Sequence, residues 1–286
     1  MSNSKLQVTV RPVNIETDVD GIVRVVRDED YLPWAKPESC LAVLTHTAAR
    51  GFYQTVAIVD DIIAGFAVWN EDRENGEDFL YLSMMHVDMD LRSRGIGAAM
   101  IADGVRYAKS LGISVLRTMP EDERSLSFYL RNGFIITEHL DGFVCKAQAG
   151  NYAAKEINHP TFEMIDGLEF VFGLGQAAPQ FMFGLSDLRV QQERGWPVKS
   201  FSFCEGLLQF RYDKDKTETA QMLYWSNLVP TEKTLAEILA LGYTLGFEKL
   251  DFEFRRKFSE LFIGRENLQP EDYKEGIVLE KAVGGL

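Results

Sequence analysis

The chain has 286 residues, of which 46% are hydrophobic and 12% aromatic, enough for substantial cores and natural for two domains. A formal net charge of −13 argues against nucleic acid as the main ligand and suits a cationic amine substrate. Apolar runs stay below the roughly 18 residues of a membrane span. Its 3 cysteines, without close spacing, predict reduced thiols rather than a disulfide framework or a zinc site. We therefore expect a cytoplasmic protein that uses no membrane and no metal.

The first half of the sequence alternates strand and helix patterns, which predicts a mixed α/β sheet flanked by helices over residues 1–148. The predicted strands are 5–10, 55–59, 62–69, 79–87 and 113–118, followed by a closing hairpin of 134–138 and 142–146. The predicted helices are 18–26, 41–50, 96–111 and 121–131. Residues 28–34 are expected to form an acidic and aromatic loop, and residues 71–78 a polar loop.

The most informative stretch is residues 90–100, where a basic loop with glycines joins a strand to a helix. Gly95 and Gly97 allow the backbone to approach a ligand, and the free N–H groups of a first helical turn attract an anion. The expected guest is a phosphate or pyrophosphate. The sequence lacks Gly-x-x-x-x-Gly-Lys-Ser/Thr here, which sets a P-loop aside. A dinucleotide fingerprint needs three glycines directly after the first strand, whereas arginines occupy the early positions of this loop.

Two motifs in this half carry a resemblance to a known family. Residues 92–97 read Arg-x-x-Gly-x-Gly, and residues 122–134 read Asp-x-x-Ser-x-x-Phe-Tyr-x-x-x-Gly-Phe. In this order they resemble the acyl-CoA loop and the second motif of the GCN5-related N-acetyltransferases (GNAT), in which Asn and Ala usually stand where this chain has Asp122 and Ser125. The resemblance covers residues 1–148. It implies a GNAT-type, mostly antiparallel mixed sheet and acetyl-CoA as co-substrate.

The resemblance also implies roles for individual residues. Acetyl-CoA would be held by Met85, His86, Val87, Arg92, Ser93, Arg94, Gly95, Ile96, Gly97, Ala98, Asp122, Ser125 and Phe128. The acetyl carbonyl would lie against the backbone near Met85 and Val87, with the N–H of Val87 as oxyanion donor. Tyr129 falls on the tyrosine that protonates the CoA sulfur in many members. A core aromatic on an amphipathic helix is the alternative for Tyr129.

The sequence indicates no clear general base. Relatives often carry Glu or His on the strand before the loop, and this chain has Tyr81 and Ser83 there, neither of which is a base at neutral pH. His86 lies on the strand face opposite Ser83 and is expected to be structural. We expect proton removal through ordered water or by an acid from 77–78 or 28–30. Candidates for the acceptor pocket are Asp28, Asp30, Tyr31, Trp34, Tyr81 and Ser83, although a solvated acidic loop also explains the first four.

The second half repeats the strand–turn–strand pattern of the first half, since residues 195–210 align with 51–66 without a gap. Further predicted elements are strands 222–228, 247–254 and 276–283 and helices 235–245 and 256–263. We interpret residues 149–286 as a degenerate GNAT-like domain, with convergent βα patterning as the alternative. Only Val-Pro-Thr-Glu-Lys, residues 229–233, separates its strand from its helix. This half is therefore not expected to bind CoA.

The leading hypothesis is an acyl-CoA-dependent N-acetyltransferase that acts on a primary amine of a small-molecule or peptide acceptor. The second domain would shape the acceptor site or replace a dimer partner, which gives a monomer with a pseudo-twofold pair of domains or a homodimer. The missing carboxylate base and the degenerate second copy also motivate an alternative, a non-catalytic acyl-CoA-binding or protein-interaction module.

Overall fold

The computed structural model describes residues 7–27, 36–74, 77–165, 167–173, 197–213, 215–262 and 274–284. They form two compact units: the described parts of Met1–Ile135 with Leu279–Leu286, and those of Ile136–Val278. The sequence places the boundary at residue 148. The structure divides earlier because residues 140–146 pair with a strand of the second unit. None of the helices in these ranges combines the length and apolar character needed to cross a membrane.

The first unit is a sheet flanked by helices. Its strands are β1 (Thr9–Pro12), β2 (Tyr53–Val59), β3 (Ile62–Glu74), β4 (Glu77–Val87) and β5 (Val115–Thr118). Its helices are α1 (Val19–Val25), α2 (Pro37–Ala49), α3 (Ile96–Leu111) and α4 (Glu123–Arg131). The five strands lie side by side in numerical order, and each adjacent pair is antiparallel except β4 and β5, which are parallel. The mixed, mostly antiparallel architecture predicted from the sequence is confirmed.

The two faces of this sheet bury different helices, because side chains alternate along each strand. On one face, Val56 and Phe66 pack with Ile22 of α1 and Leu44 of α2 in a common apolar cluster. On the other face lies α3, which approaches the sheet closely: a Cβ atom on Gly104 would lie 2.3 Å from the indole of Trp69. The helix that follows the anion loop is thereby fixed against the sheet.

A strand from far along the chain completes the first unit. In β13 (Lys274–Ala282), residues 279–282 pair antiparallel with β5. The Arg117 guanidinium of β5 donates to Glu280 at 2.6 and 2.8 Å. The Lys281 ammonium donates to the Asn132 carbonyl at 2.8 Å. These contacts supply β5 with a neighbour that the local sequence does not provide.

Two sequence predictions about loops are wrong. The closing hairpin of 134–138 and 142–146 is a single strand, β6 (Ile135–Lys146), because residues 140–146 pair with their neighbour in one unbroken register. The polar loop over 71–78 is also absent from its described part, since β3 and β4 continue as a ribbon of polar residues. Arg73 and Asp78 are paired across it, with an ion pair of 2.7 Å.

The second unit is also a sheet with a helix against one face. Its further elements are β7 (Ala154–Ile157), β8 (Phe170–Phe172), β9 (Val198–Phe203), β10 (Gly206–Asp213), β11 (Lys216–Trp225), α5 (Glu232–Thr244) and β12 (Lys249–Arg255). The strand order is β6-β12-β8-β11-β10-β9-β7, and neither β7 nor β8 was predicted. A short 3-10 turn, Arg256–Leu261, stands where a helix over 256–263 was predicted.

The second unit repeats part of the order of the first. Strands β9, β10 and β11 are successive antiparallel neighbours, and β11 is parallel to β12 across the intervening helix α5. Strands β2 to β5 with α3 have the same order and directions. This likeness is what a degenerate copy would show, and that interpretation stays a prediction.

Candidate functional site

A gap between two parallel strands opens the candidate site. β4 and β5 pair only at Leu80–Leu116 and Tyr81–Arg117. β5 ends at Thr118, whereas β4 continues to Val87. The space between β4, the start of α3 and α4 is a cleft of about 570 Å³, which we call the cleft.

The cleft brings together most of the predicted site residues. Those that line it are Tyr81, Ser83, Met85, His86, Val87, Arg92, Ser93, Gly95, Ile96, Gly97, Ala98, Asp122, Ser125, Phe128 and Tyr129. Arg94 is exposed and does not belong to this lining. Asp28, Asp30, Tyr31 and Trp34 lie outside the described residues, so their predicted place in an acceptor pocket stays a prediction.

The loop before α3 has the backbone of an anion site. Ser93 and Gly95 have positive φ values of 64° and 87°, which turn the chain into the helix. The residue capping the helix is Gly95, which has no side chain to occupy the first-turn N–H groups. The first helical hydrogen bond is donated by Ala99 to the Gly95 carbonyl, so the three preceding N–H groups have no helical acceptor. These groups, and the positive end of the helix dipole, are available to an anion in the cleft.

Two side chains shape this loop. A Cβ atom at Gly97 would lie 2.9 Å from the ring of Phe128, so glycine is needed for α3 and α4 to approach each other. The Arg92 side chain is half-buried, and its Nε donates to the Val87 carbonyl at 3.0 Å. Arg92 therefore adds a fixed positive charge to the cleft where the helical N–H groups are free.

The register of β4 fixes which of its backbone groups face the gap. The Asp88 N–H donates to the Ala64 carbonyl at 2.9 Å, in the same register as the β3–β4 pairs. In an antiparallel ladder the hydrogen-bonding direction alternates, so the N–H groups of Met85 and Val87 point away from β3. The Val87 carbonyl, which accepts from Arg92, points the same way. Met85 and Val87 thus direct two N–H groups toward the open side of the strand, where the predicted oxyanion donor was placed.

Tyr129 lies on α4 with only 6% of its surface exposed. Its ring packs edge-on against Phe128 and Phe134, with centroids 5.2 and 5.3 Å away. Burial raises the pKa of Tyr129 to about 12; the negative charge of Glu121 acts in the same direction, and a hydrogen bond with Thr118 opposes it. The phenol is therefore protonated throughout the neutral range, as a proton donor must be.

Asp122 and Ser125 line the cleft, but their side chains are already hydrogen-bonded to backbone groups at the start of α4. The Asp122 carboxylate accepts from the Ser125 N–H at 2.7 Å, and the Ser125 hydroxyl accepts from the Asp122 N–H at 3.0 Å. This reciprocal pair caps α4. Hydrogen bonds to Asp122 also lower its pKa, so that the carboxylate stays ionised.

The cleft contains residues that motif matching missed, among them Thr118, Met119, Glu121, Arg124 and Arg131. Arg124 and Arg131 stand four residues before and three residues after Phe128 on α4. That spacing places all three on one helix face, so helical periodicity could have found both arginines. No helical periodicity indicates that Thr118 lines the cleft, because its place there depends on where β5 ends.

The corresponding helix of the second unit is built differently. The Thr231 hydroxyl accepts from the Thr234 N–H at 3.2 Å and caps the first turn of α5. Val229, which precedes Pro230 in the segment leading to α5, is 76% exposed. Because its first turn is capped and an apolar residue precedes it, α5 does not offer the anion site found at α3. Among the described residues, no cluster of three or more His, Cys, Asp or Glu side chains could hold a metal ion.

Comparisons with known proteins agree with this geometry. Residues 23–134 match the model of the acetyltransferase (GNAT) family. A comparison with curated proteins finds no significant match.

Solved structures share the fold over nearly the whole chain. A GCN5-related N-acetyltransferase from Kribbella flavida has a TM-score of 0.65 at 10% identity, covering 98% of this chain and 72% of that one. A tandem GNAT protein from the clavulanic acid biosynthesis pathway has a TM-score of 0.60 at 13% identity, covering 98% and 100%. A putative acetyltransferase from Pyrococcus horikoshii has a TM-score of 0.58 at 11% identity, covering 99% and 91%. At such identities the likeness concerns the fold.

The family match spans the loop, the cleft and helix α4 described above, all of which lie within residues 23–134. Over residues 23–134 the chain is therefore similar to the acetyltransferase (GNAT) family, and the candidate site lies within that match.

Proposed function

We propose that this protein transfers an acetyl group from acetyl-CoA to a primary amine of a cationic acceptor. The observation that carries the proposal is the uncapped first turn of α3, which opens into the same cleft as the protonated phenol of Tyr129. An anion site and a proton donor that line one cleft match the diphosphate and the thioester of one carrier molecule.

In the proposed reaction, the N–H groups of α3 and the Arg92 guanidinium hold the diphosphate. The N–H groups of Met85 and Val87 stabilise the negative charge on the thioester oxygen while the neutral amine attacks the carbonyl carbon. The carbon–nitrogen bond forms, the carbon–sulfur bond breaks, and Tyr129 gives its proton to the departing sulfur. The proton lost by the amine leaves through water, because Ser83 and Tyr81 are not bases at neutral pH.

Two measurements on the full chain test the proposal. Calorimetry with acetyl-CoA should give one site per chain, because the capped helix α5 offers no second anion site. Thiol release should then depend on an added amine from a panel of spermidine, tyramine, L-lysine, kanamycin and a peptide with a free N-terminus. Failure to bind acetyl-CoA would refute the proposal.

A specific observation also favours a second candidate, a non-catalytic acyl-CoA-binding module. The strand positions on which relatives often carry a Glu or His base hold Tyr81 and Ser83, which line the cleft. The same two measurements separate the candidates, since a binding module would bind acetyl-CoA and release no thiol with any amine.

We also propose that the second unit is a degenerate copy that shapes the acceptor site or takes the place of a dimer partner, and that the protein acts in the cytoplasm. The free cysteines support this location: Cys40 and Cys145 are buried as reduced thiols.

Replacing Tyr129 by Phe should lower kcat by about 100-fold with little change in acetyl-CoA affinity, because the change removes a proton donor and keeps the ring. The matched control is Tyr107→Phe, on α3, where Tyr107 is stacked on Tyr53 with ring centroids 3.9 Å apart. Equal kcat values for Tyr129→Phe and the control would remove Tyr129 from the mechanism.

The pH dependence of kcat is a second prediction for Tyr129. The pKa of about 12 keeps Tyr129 protonated below roughly pH 11. The kcat of the unmodified protein should therefore show no decline from loss of this proton between about pH 6 and 10.

A further inference from the structure

We propose that Ser83, held by Asn70, is the group that receives an N–H of the acceptor amine in the cleft. The inference rests on the proposed function and adds to it the residue that orients the nucleophile. It follows from three features of β3 and β4: a bulge, a buried amide and the direction of one hydroxyl proton.

The first feature is the bulge at Ser83. In the β3–β4 ladder, Val68 pairs with Met84 and Trp69 pairs with Leu82, so that Ser83 has no partner opposite it. An extra residue in one strand bends that strand and re-aims its side chain. Ser83 is one of the residues that line the cleft. β4 pairs with β5 only as far as Tyr81, so the bulge lies in a part of β4 that is no longer paired with β5.

The second feature is the Asn70 amide, which is 1% exposed. Its Nδ2 donates to the Glu71 carbonyl at 3.4 Å, and its Oδ1 lies 2.5 Å from the Ser83 hydroxyl oxygen. The reverse orientation of the amide would set Oδ1 against the Glu71 carbonyl oxygen, where two acceptors would repel. The buried environment therefore fixes Asn70 with its acceptor toward Ser83.

The third feature follows from the second. A serine hydroxyl has one proton, and Ser83 donates it to Asn70. Its oxygen therefore has only lone pairs left to present to a ligand. Such an oxygen can accept a hydrogen bond and cannot donate one, so it selects a ligand that has a proton to give.

An amine meets this requirement throughout the reaction. A primary amine that has lost its ammonium proton still has two N–H groups, one of which can donate to Ser83 while the nitrogen lone pair attacks the thioester carbon. An alcohol has one proton, which must leave as the ester forms. Ser83 therefore favours nitrogen over oxygen nucleophiles and orients the attacking lone pair. Asn70 is a positioning residue, because it acts only through Ser83.

The test uses the full chain with acetyl-CoA and the amine of the panel that the unmodified protein acetylates fastest, out of spermidine, tyramine, L-lysine, kanamycin and the peptide. Ser83→Ala should raise the KM for that amine about tenfold, the effect of one lost hydrogen bond. The KM for acetyl-CoA should not change. Ser83→Thr keeps the hydroxyl and should restore the amine KM to within about threefold. Ser110→Ala, an exposed serine on α3, is the matched control.

Asn70 is tested by a double-mutant cycle. Asn70→Ala should raise the amine KM less than Ser83→Ala does, because the freed hydroxyl can rotate its proton into the cleft. Asn70→Ala combined with Ser83→Ala should match Ser83→Ala alone. Additive effects would remove Asn70 from the proposal.

The results that would overturn this inference differ from the result that would overturn the proposed function. An active protein whose Ser83→Ala variant keeps the original amine KM would overturn this inference alone. Loss of acetyl-CoA binding in Ser83→Ala would also overturn it, because the residue would then serve the other substrate. Absence of amine-dependent thiol release from the unmodified protein with all five amines would overturn both.

Discussion

Replacing Arg92 by Glu and Gly95 by Asp together should remove measurable acetyl-CoA binding and leave the fold intact. Both changes set a carboxylate beside the free N–H groups of α3, where the diphosphate would lie. The Arg92 change also removes the guanidinium held on the Val87 carbonyl. We expect at least about a 100-fold loss of affinity, which is about 2.7 kcal/mol, in calorimetry. Asp tolerates the positive φ of Gly95 better than most residues, so thermal unfolding should show a loss of only about 1 kcal/mol.

Arg94→Glu is the matched control for this experiment. Arg94→Glu makes the same charge change as Arg92→Glu, but the Arg94 side chain is exposed and does not line the cleft. Since exposed charges are screened by water and salt, we expect an affinity loss of about tenfold or less, shrinking as salt is added. A loss as large as that of the double variant would show that overall charge, and not the anion site, controls binding.

A chain ending at residue 148 should fail to fold its first unit, although that length was expected from the sequence to hold the whole domain. Without residues 279–282, β5 has no antiparallel neighbour on one side, and Arg117 loses Glu280. Arg117 keeps Glu74 as a partner, so the main loss is the strand pairing and the fully buried Leu279 side chain. Losing a buried leucine side chain costs about 2–5 kcal/mol, a large part of the stability of a small domain. We expect low soluble yield and no binding of acetyl-CoA in calorimetry.

A fusion of two segments of the chain should restore the unit. The Thr137 hydroxyl lies 3.5 Å from the Val278 carbonyl. A short Gly-Ser linker can therefore connect residue 137 to residue 278 in a fusion of 1–137 with 278–286 that omits residues 138–277. This fusion should be soluble and bind acetyl-CoA. The same fusion with Glu280→Lys and Leu279→Pro, which break the ion pair and the strand, is its control. A soluble 1–148 chain that binds acetyl-CoA as tightly as the full chain would contradict the expected role of the last strand.

The sequence was most informative where local chemistry decides the structure. Gly95 marks the turn into α3, and Phe128, Tyr129 and Gly133 mark α4 and its end, because each meets a local steric or packing need. The residues predicted from them, the anion loop and Tyr129, line one cleft. Their roles in catalysis stay predictions.

Other features depend on contacts between distant residues and could not be predicted. From the sequence, β6 was divided into a hairpin with residues 139–141 between its two strands. In the structure Asp141 is buried and accepts hydrogen bonds from the Arg256 guanidinium, 115 positions further along the chain. The bulge at Ser83 has no local signature either, since it follows from the registers on its two sides.

The late arrival of residues 279–282 has a consequence for biosynthesis. A ribosome makes the anion loop and the phenol early, yet the strand edge beside Thr118 stays uncovered until about 160 further residues have been added. During that interval the exposed edge can pair with other nascent chains. We therefore expect acetyl-CoA affinity only after residues 279–282 have been made and have left the ribosome. We also expect the yield to be more sensitive to chaperone supply than that of a domain whose paired strands are all close in sequence.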